Sequence, residues 1–316
     1  MLHACPHCGG RHAGGQAWAT GRDGDAKAIA DLTAQARDAD PALARLLRTI
    51  RDSIRIQRNG LREVERGLKS VFSDVVRAIV ADLKAAPGAD VPTKVRAMGI
   101  EARALADILA AALEPTRDDL SDVMAELVVL SSLQLEAGGI DRAPSLSAIS
   151  AATRRLDDEF WGQTIIQPTA QRMYDGLSTA LRGDTVDAVA RRLRQSSGGS
   201  IGRAVTEART QLAEFDRAVT ARTAEDAGAE LFAYLGPKDA LTRPFCDTIV
   251  DHVLTVEQVG RLDNAQTTVS PIISGGGYNC RHNWSPVAES LVDALGLRRG
   301  TMALVNEANI KARAAR

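Results

Sequence analysis

From Pro41 to Ala86 one pattern dominates: Leu47, Ile50, Ile54, Leu61, Val64, Leu68, Val71, Val75 and Ile79 recur at three- and four-residue steps. That spacing gathers side chains on one face of an α-helix, and an apolar face of this length must be buried on a partner. Asp40 is placed to cap the helix, with Pro41 at its first position, where a missing N–H costs nothing. Pro87-Gly88 stops it.

Composition agrees with a helical chain. Aromatic residues make up only 3% of the 316 residues, while Ala, Leu, Arg and Asp abound, so the helices pack through small and aliphatic side chains. The length suffices for one large or two ordinary domains. With 39 basic and 40 acidic residues the formal net charge is -1. Global charge therefore marks neither a nucleic-acid coat nor a membrane-surface protein, and any such role must be local. The first residues lack a signal-peptide pattern, and no apolar run approaches the ~20 residues needed to span a bilayer. A soluble intracellular chain is the expectation.

Local charge is present on the long helix. Arg48, Arg51, Arg55, Arg58, Arg62, Arg66 and Lys69 fall within an arc of about 80° when wound at ~100° per residue. Two uses are open to such an edge. It can be a solvated flank paired with Asp and Glu of neighbouring helices. It can also contact the phosphates of DNA, or an acidic protein surface, without reading bases.

Helical spacing continues over Thr93 to Leu113 and Leu120 to Leu135, ended by Gly138-Gly139. Residues 141–152 are small and polar, and a linker is expected there. Leu156 to Arg182 and Thr185 to Gln195 read as helices broken at Pro168 and Gly183-Asp184. Ser196-Ser197-Gly198-Gly199-Ser200 reads as a flexible turn before a helix from Ile201 to Ala227, whose Arg203, Glu207, Arg209, Asp216, Arg217 and Arg222 form a mixed-charge face. Leu231 to Leu235 is strand-like, with Gly236-Pro237 as its turn.

Chemistry concentrates between Thr242 and Val287. The segment opens with Thr242-Arg243-Pro244-Phe245-Cys246 and passes His252 and the short helix-like stretch from Thr255 to Leu262. It closes with Gly275-Gly276-Gly277-Tyr278-Asn279-Cys280-Arg281-His282. Three glycines allow a bend or a close backbone approach. In extended backbone the two-residue step puts Cys280 and His282 on one face and Arg281 on the other. Cys246, Cys280, His282 and His252 are thus candidates to converge. They can do so as zinc ligands, as a Cys246–Cys280 disulfide, or as reduced, packed thiols beside a hydrogen-bonded histidine. Cys246 acting as a nucleophile with His282 is a fourth use.

This order of residues, with Asp239 ahead of Thr242-Arg243-Pro244-Phe245-Cys246 and a glycine run into Cys280-Arg281-His282, resembles the C-terminal domain of phage minor head proteins related to the Mu F and SPP1 minor head proteins. The resemblance covers roughly the last third of the chain. Many relatives end in Cys-Arg-Cys where this chain has His282, so a ligand role there would pass from thiolate to imidazole. The resemblance implies a compact α+β unit and a minor head component acting near the portal in assembly and in DNA packaging or ejection. The implied partners are the portal protein, other capsid proteins and packaged double-stranded DNA bound without sequence preference. It also implies several copies per particle, no membrane in the assembled head, and a location in the virion after assembly in the host cytoplasm.

The N-terminus holds a second metal candidate. Cys5-Pro6-His7-Cys8-Gly9 is half of a zinc knuckle, and His12 with His3 or His7 can complete it; a disordered leader is the other reading. Phosphate loops, zincin helices and nucleophile elbows do not occur. A Cys/His-centred hydrolase or toxin-type enzyme and a zinc-knuckle nucleic-acid-binding regulator stand as alternatives to the head component. The expected fold is mainly α: a long helical N-terminal and middle region followed by a small α+β domain with a Cys/His-stabilised glycine-rich loop. The expected divisions are a knuckle and leader over 1–26, a helical arm over 27–140, a helical region over 141–230, the compact domain over 231–297 and a basic tail over 298–316.

Overall fold

The computed structural model describes residues 3–4, 11–12, 22–88, 90–179 and 185–315. Two short antiparallel strands, β1 (His3–Ala4) and β2 (Arg11–His12), come first, with His3 opposite His12. Cys5 and Cys8 lie outside the described residues. Helices follow: α1 (Arg22–Asp38), α2 (Pro41–Ala85), α3 (Val91–Met98), α4 (Ala102–Ala112), α5 (Glu114–Ala137) and α6 (Leu146–Arg155). A π-helical stretch (Leu156–Ile166) leads into α7 (Gln167–Thr179), and α8 spans Val186–Asp226. The remainder is mixed: β3 (Leu231–Leu235), α9 (Pro244–Ile249), β4 (His252–Thr255), α10 (Val256–Gly260), α11 (Pro271–Ser274), β5 (Asn283–Pro286), β6 (Arg298–Arg299) and α12 (Met302–Ala314). The chain is mainly helical with one small mixed sheet near its C-terminal end, as expected.

Two units divide the chain, each assembled from separated stretches. The first comprises 1–58, 123–153 and 209–316; the second comprises 59–122 and 154–208. This differs from the successive divisions read from the sequence. Residues 141–152 belong to the first unit, whose stretch ends at 153, and α6 begins within them.

In the first unit the sheet runs β5-β3-β4-β6, antiparallel except for the β4–β6 pair. β3 is buried along its whole length, so it carries the continuous apolar run Leu-Phe-Ala-Tyr-Leu instead of an apolar–polar alternation. Alternate residues serve two cores. Phe232 and Tyr234 pack with Phe245, Ile249, Leu254 and Trp284. Leu231, Ala233 and Leu235 pack with Leu32, Leu46, Leu47 and Ile50 from α1 and α2. Residues 298–315 are not a tail: β6 pairs in the sheet, and α12 buries Val305, Ala308 and Ala312 in the core beside α9.

The second unit buries Leu61, Val64, Leu68 and Phe72 of α2, Leu105 and Leu109 of α4, Phe160 and Trp161 of the π-helical stretch, and Met173 of α7. The helix does not break at Pro168. The Gln167 N–H reaches Gly162 O in the wider π pattern, and Pro168 then lies in the first turn of α7, where the absent N–H is tolerated. Nor does Ser196 to Ser200 form a turn. α8 continues through it, with the buried Ser197 hydroxyl donating to Leu193 O at 2.7 Å. Packing of Val189, Leu193 and Ala204 overrides the poor helix propensity of Ser and Gly.

Candidate metal centre

Cys246 is delivered by α9. Pro244 occupies the first turn of that helix, and Phe245, Cys246 and Ile249 face the core. Cys280 and His282 arrive on the segment entering β5, after a turn with positive φ at Gly275 (58°), Gly277 (94°) and Asn279 (55°). Gly and Asn reach that region at least cost, which accounts for these residue types in the turn. Gly276 is required for a different reason: a Cβ there would lie 2.3 Å from Cys246 Sγ.

The two ends of the motif close residue against residue. Asp239 takes both arms of the Arg281 guanidinium at 2.6 and 2.7 Å. Arg243 donates to the carbonyls of Tyr278 and Gly276. Cys246 Sγ stands 3.9 Å from Cys280 Sγ. Arg281 thus points away from Cys280 and His282, as an extended segment requires.

At the centre, Cys246, Cys280 and His282 each offer a donor atom, all within 4.8 Å of one another and all buried. Both cysteines are free thiols, so the disulfide arrangement is not formed. Cys280 Sγ accepts from the Gly276 N–H at 3.1 Å and lies 3.9 Å from His282 Nδ1. Tyr234 Oη is 3.3 Å from Cys246 Sγ and 3.4 Å from Cys280 Sγ. Its ring stacks on the His282 ring at 5.2 Å and 8°. His282 Nε2 is buried without a hydrogen-bond partner.

The sulfurs are electrostatically unequal. The hydrogen bond from Cys246 lowers the Cys280 pKa well below the ordinary thiol value against the opposing effect of burial, helped by His282 and Arg217. The same shared bond, then burial, raises Cys246. Burial, then the neighbouring sulfurs, raises Tyr234.

Residues outside the motif complete the surroundings. Arg217 of α8 donates to Ile273 O, and to His282 O at 3.0 Å. Asp216 accepts from Ser53 at 2.6 Å, Asn283 at 3.1 Å and Ser131 at 3.2 Å. Burial raises its pKa against those bonds and the Arg217 charge. Sequence reading put Asp216 and Arg217 on a mixed-charge face, and they are only 2% and 3% exposed. Their spacing from Ala213, Thr220 and Ala224 places them on the small-residue face of α8, a signal the charge pattern obscured. Tyr234 was read only as part of a strand.

His252 does not join the centre. It lies in β4 with Nδ1 3.0 Å from Val250 O, and burial, with Arg298, lowers its pKa. Of the N-terminal candidates, His3 and His12 occupy β1 and β2, while Cys5 and Cys8 are outside the described residues.

Four of the seven residues on the basic edge of α2 are paired with acidic residues of their own helix. In the first unit Arg51 and Arg55 hold Asp52 at 2.8 and 3.3 Å, Arg48 is exposed, and Arg58 buries an Nε that has no partner. In the second, Arg66 holds Glu63, Lys69 holds Glu65 at 2.6 Å, and Arg62 likewise buries its Nε.

The donor set of two sulfurs and one imidazole could bind a metal ion, and such soft ligands suit transition metals over calcium or magnesium. Among the described residues no helix is long and apolar enough to cross a membrane. Compared with protein-family models, curated proteins and solved structures, the chain matches none.

Proposed function

We propose that the chain is a structural minor component of a phage head, acting near the portal in head morphogenesis and in DNA packaging or ejection, with zinc at its Cys/His centre. The observation that carries this reading is the closure of the motif on itself. Asp239 meets Arg281, Arg243 meets the glycine turn, and Cys246 meets Cys280, so the residues behind the family resemblance serve to hold a fold. Zinc is favoured because it takes mixed thiolate and imidazole ligands and adds folding energy when its site is closed.

The enzyme reading has one point in its favour, a Cys280 thiol of lowered pKa beside His282. A nucleophile must also meet its substrate, and Cys246, Cys280 and His282 are 1%, 5% and 3% exposed. The structural role is therefore preferred. DNA contact through the basic residues of α2 remains part of the proposal. The exposed ion pairs that hold several of them are worth under about 1 kcal/mol each, so phosphates can compete for them.

The test is biochemical and positional. Cross-linking within purified particles should join this chain to the portal protein, and the purified chain should bind duplex DNA with an affinity that falls as salt rises. Absence from particles sinks the head reading. Salt-independent or absent binding sinks the DNA contact alone.

A further inference from the structure

We propose that Tyr234 Oη is the fourth corner of the Cys246–Cys280–His282 centre, making it a closed tetrahedral metal site. The inference rests on the metal reading of those three side chains and is independent of the phage-head reading.

Geometry carries it. Zinc bonds of ~2.3 Å to sulfur and ~2.0–2.2 Å to nitrogen or oxygen imply tetrahedral edges of about 3.8 Å between two sulfurs and about 3.5 Å between sulfur and nitrogen or oxygen. The observed edges are 3.9 Å for Cys246 Sγ to Cys280 Sγ, 3.9 Å for Cys280 Sγ to His282 Nδ1, and 3.3 and 3.4 Å from Tyr234 Oη to the two sulfurs. The remaining edge between the ligand atoms of Cys246 and His282 lies within 4.8 Å, so the donors surround one point, and His282 moving toward Cys246 by about 1 Å would close the tetrahedron. Ring stacking on His282 holds the phenol at that corner, and Tyr234 is fully buried.

Charge balances as well. Zinc binding takes both cysteines as thiolates and Tyr234 as a phenolate, their protons passing to solvent. Two thiolates, one phenolate and Zn2+ then leave a single negative charge. The buried Arg217 guanidinium, whose Nη2 has no hydrogen-bond partner and whose Nη1 donates to His282 O, supplies the counter-charge. A metal held this way pins strand β3 to helix α9 and to the loop entering β5. Its fourth position is filled by protein, the mark of a structural site and not of a catalytic one.

The test uses the full chain with Cys5→Ser and Cys8→Ser, so that metal at the N-terminus does not contribute. Zn2+ titration should produce a tyrosinate ultraviolet difference band, and Co2+ should give a tetrahedral thiolate spectrum indifferent to added azide. Tyr234→Phe should abolish the difference band and give a shifted Co2+ spectrum that responds to azide. Affinity alone does not separate the roles, because loss of an outer-sphere partner also costs about 10- to 100-fold. Metal binding without the tyrosinate band, which needs no variant to observe, overturns the Tyr234 assignment and leaves the three-ligand reading standing. Failure to bind either ion overturns both.

Discussion

Gly276→Ala tests how tightly the centre is built. A Cβ at this position would lie 2.3 Å from Cys246 Sγ and 3.5 Å from both Cys280 Sγ and Phe245 Cδ1. Non-bonded heavy atoms settle at about 3.5–4.0 Å, so Cys246 or the loop must give by more than about 1 Å. A cysteine has one side-chain torsion, and turning it takes Sγ away from both Tyr234 and Cys280. Residue 276 has no positive φ, so the effect is steric. Overpacking costs about 1–3 kcal/mol, and the lost sulfur contacts add about 1 kcal/mol. At about 2–4 °C per kcal/mol, the unit holding the site should melt about 4–16 °C lower. Scanning calorimetry reads this directly, with Gly202→Ala as control: its Cβ meets nothing within 4 Å, and it should gain up to about 1 kcal/mol as a helix-interior Gly→Ala change. If Gly276→Ala melts with the wild type, the close approach of loop and thiol is wrong.

Other perturbations have defined outcomes. Arg281 lowers the Asp239 pKa by its hydrogen bonds and charge, with the Leu241 N–H, against the opposing effect of burial, which is the largest single contribution. A lowered carboxylate pKa stabilises above the unfolded value of about 3.9 and loses that contribution as pH falls through the folded value. Asp239→Asn should therefore lose about 2–3 kcal/mol at neutral pH and flatten the acid limb of the stability profile in urea melts; an unchanged acid limb would exclude the pair. Trp284→Phe leaves Pro271 O without the indole donor at 2.8 Å and should cost about 2 kcal/mol, read as a lower urea midpoint with unchanged slope. His252→Asn should leave metal content unaltered, since His252 stands outside the centre; loss of metal would place it inside.

Much of this architecture was legible in residue order. The long helix ends within one residue of its sequence-read limit because Asp40-Pro41 and Pro87-Gly88 punctuate it locally. Strand Leu231–Leu235 and the helix after Thr255 were likewise marked by apolar composition and by a Thr-x-x-Gln capping box. Convergence of Cys246, Cys280 and His282 followed from the glycine run and the two-residue step. What escaped depends on tertiary context. Ser196 to Ser200 stays helical through burial on neighbours, and the division into two interleaved units arises from contacts distant in sequence. Asp216 and Arg217 were read only as part of a mixed-charge face, whose pattern did not mark them as buried. Tyr234 gave no local sign of its place beside the sulfurs, which is set by the pairing of β3 with β5.

Metal content of the chain carrying Cys5→Ser and Cys8→Ser, measured together with its melting temperature before and after chelation, bears most directly on a structural centre. One zinc per chain, lost to the chelator with a fall in melting temperature and absent from Cys280→Ser, is the expected result. A folded chain with no bound metal, or one that releases its zinc without any change in melting, would contradict it.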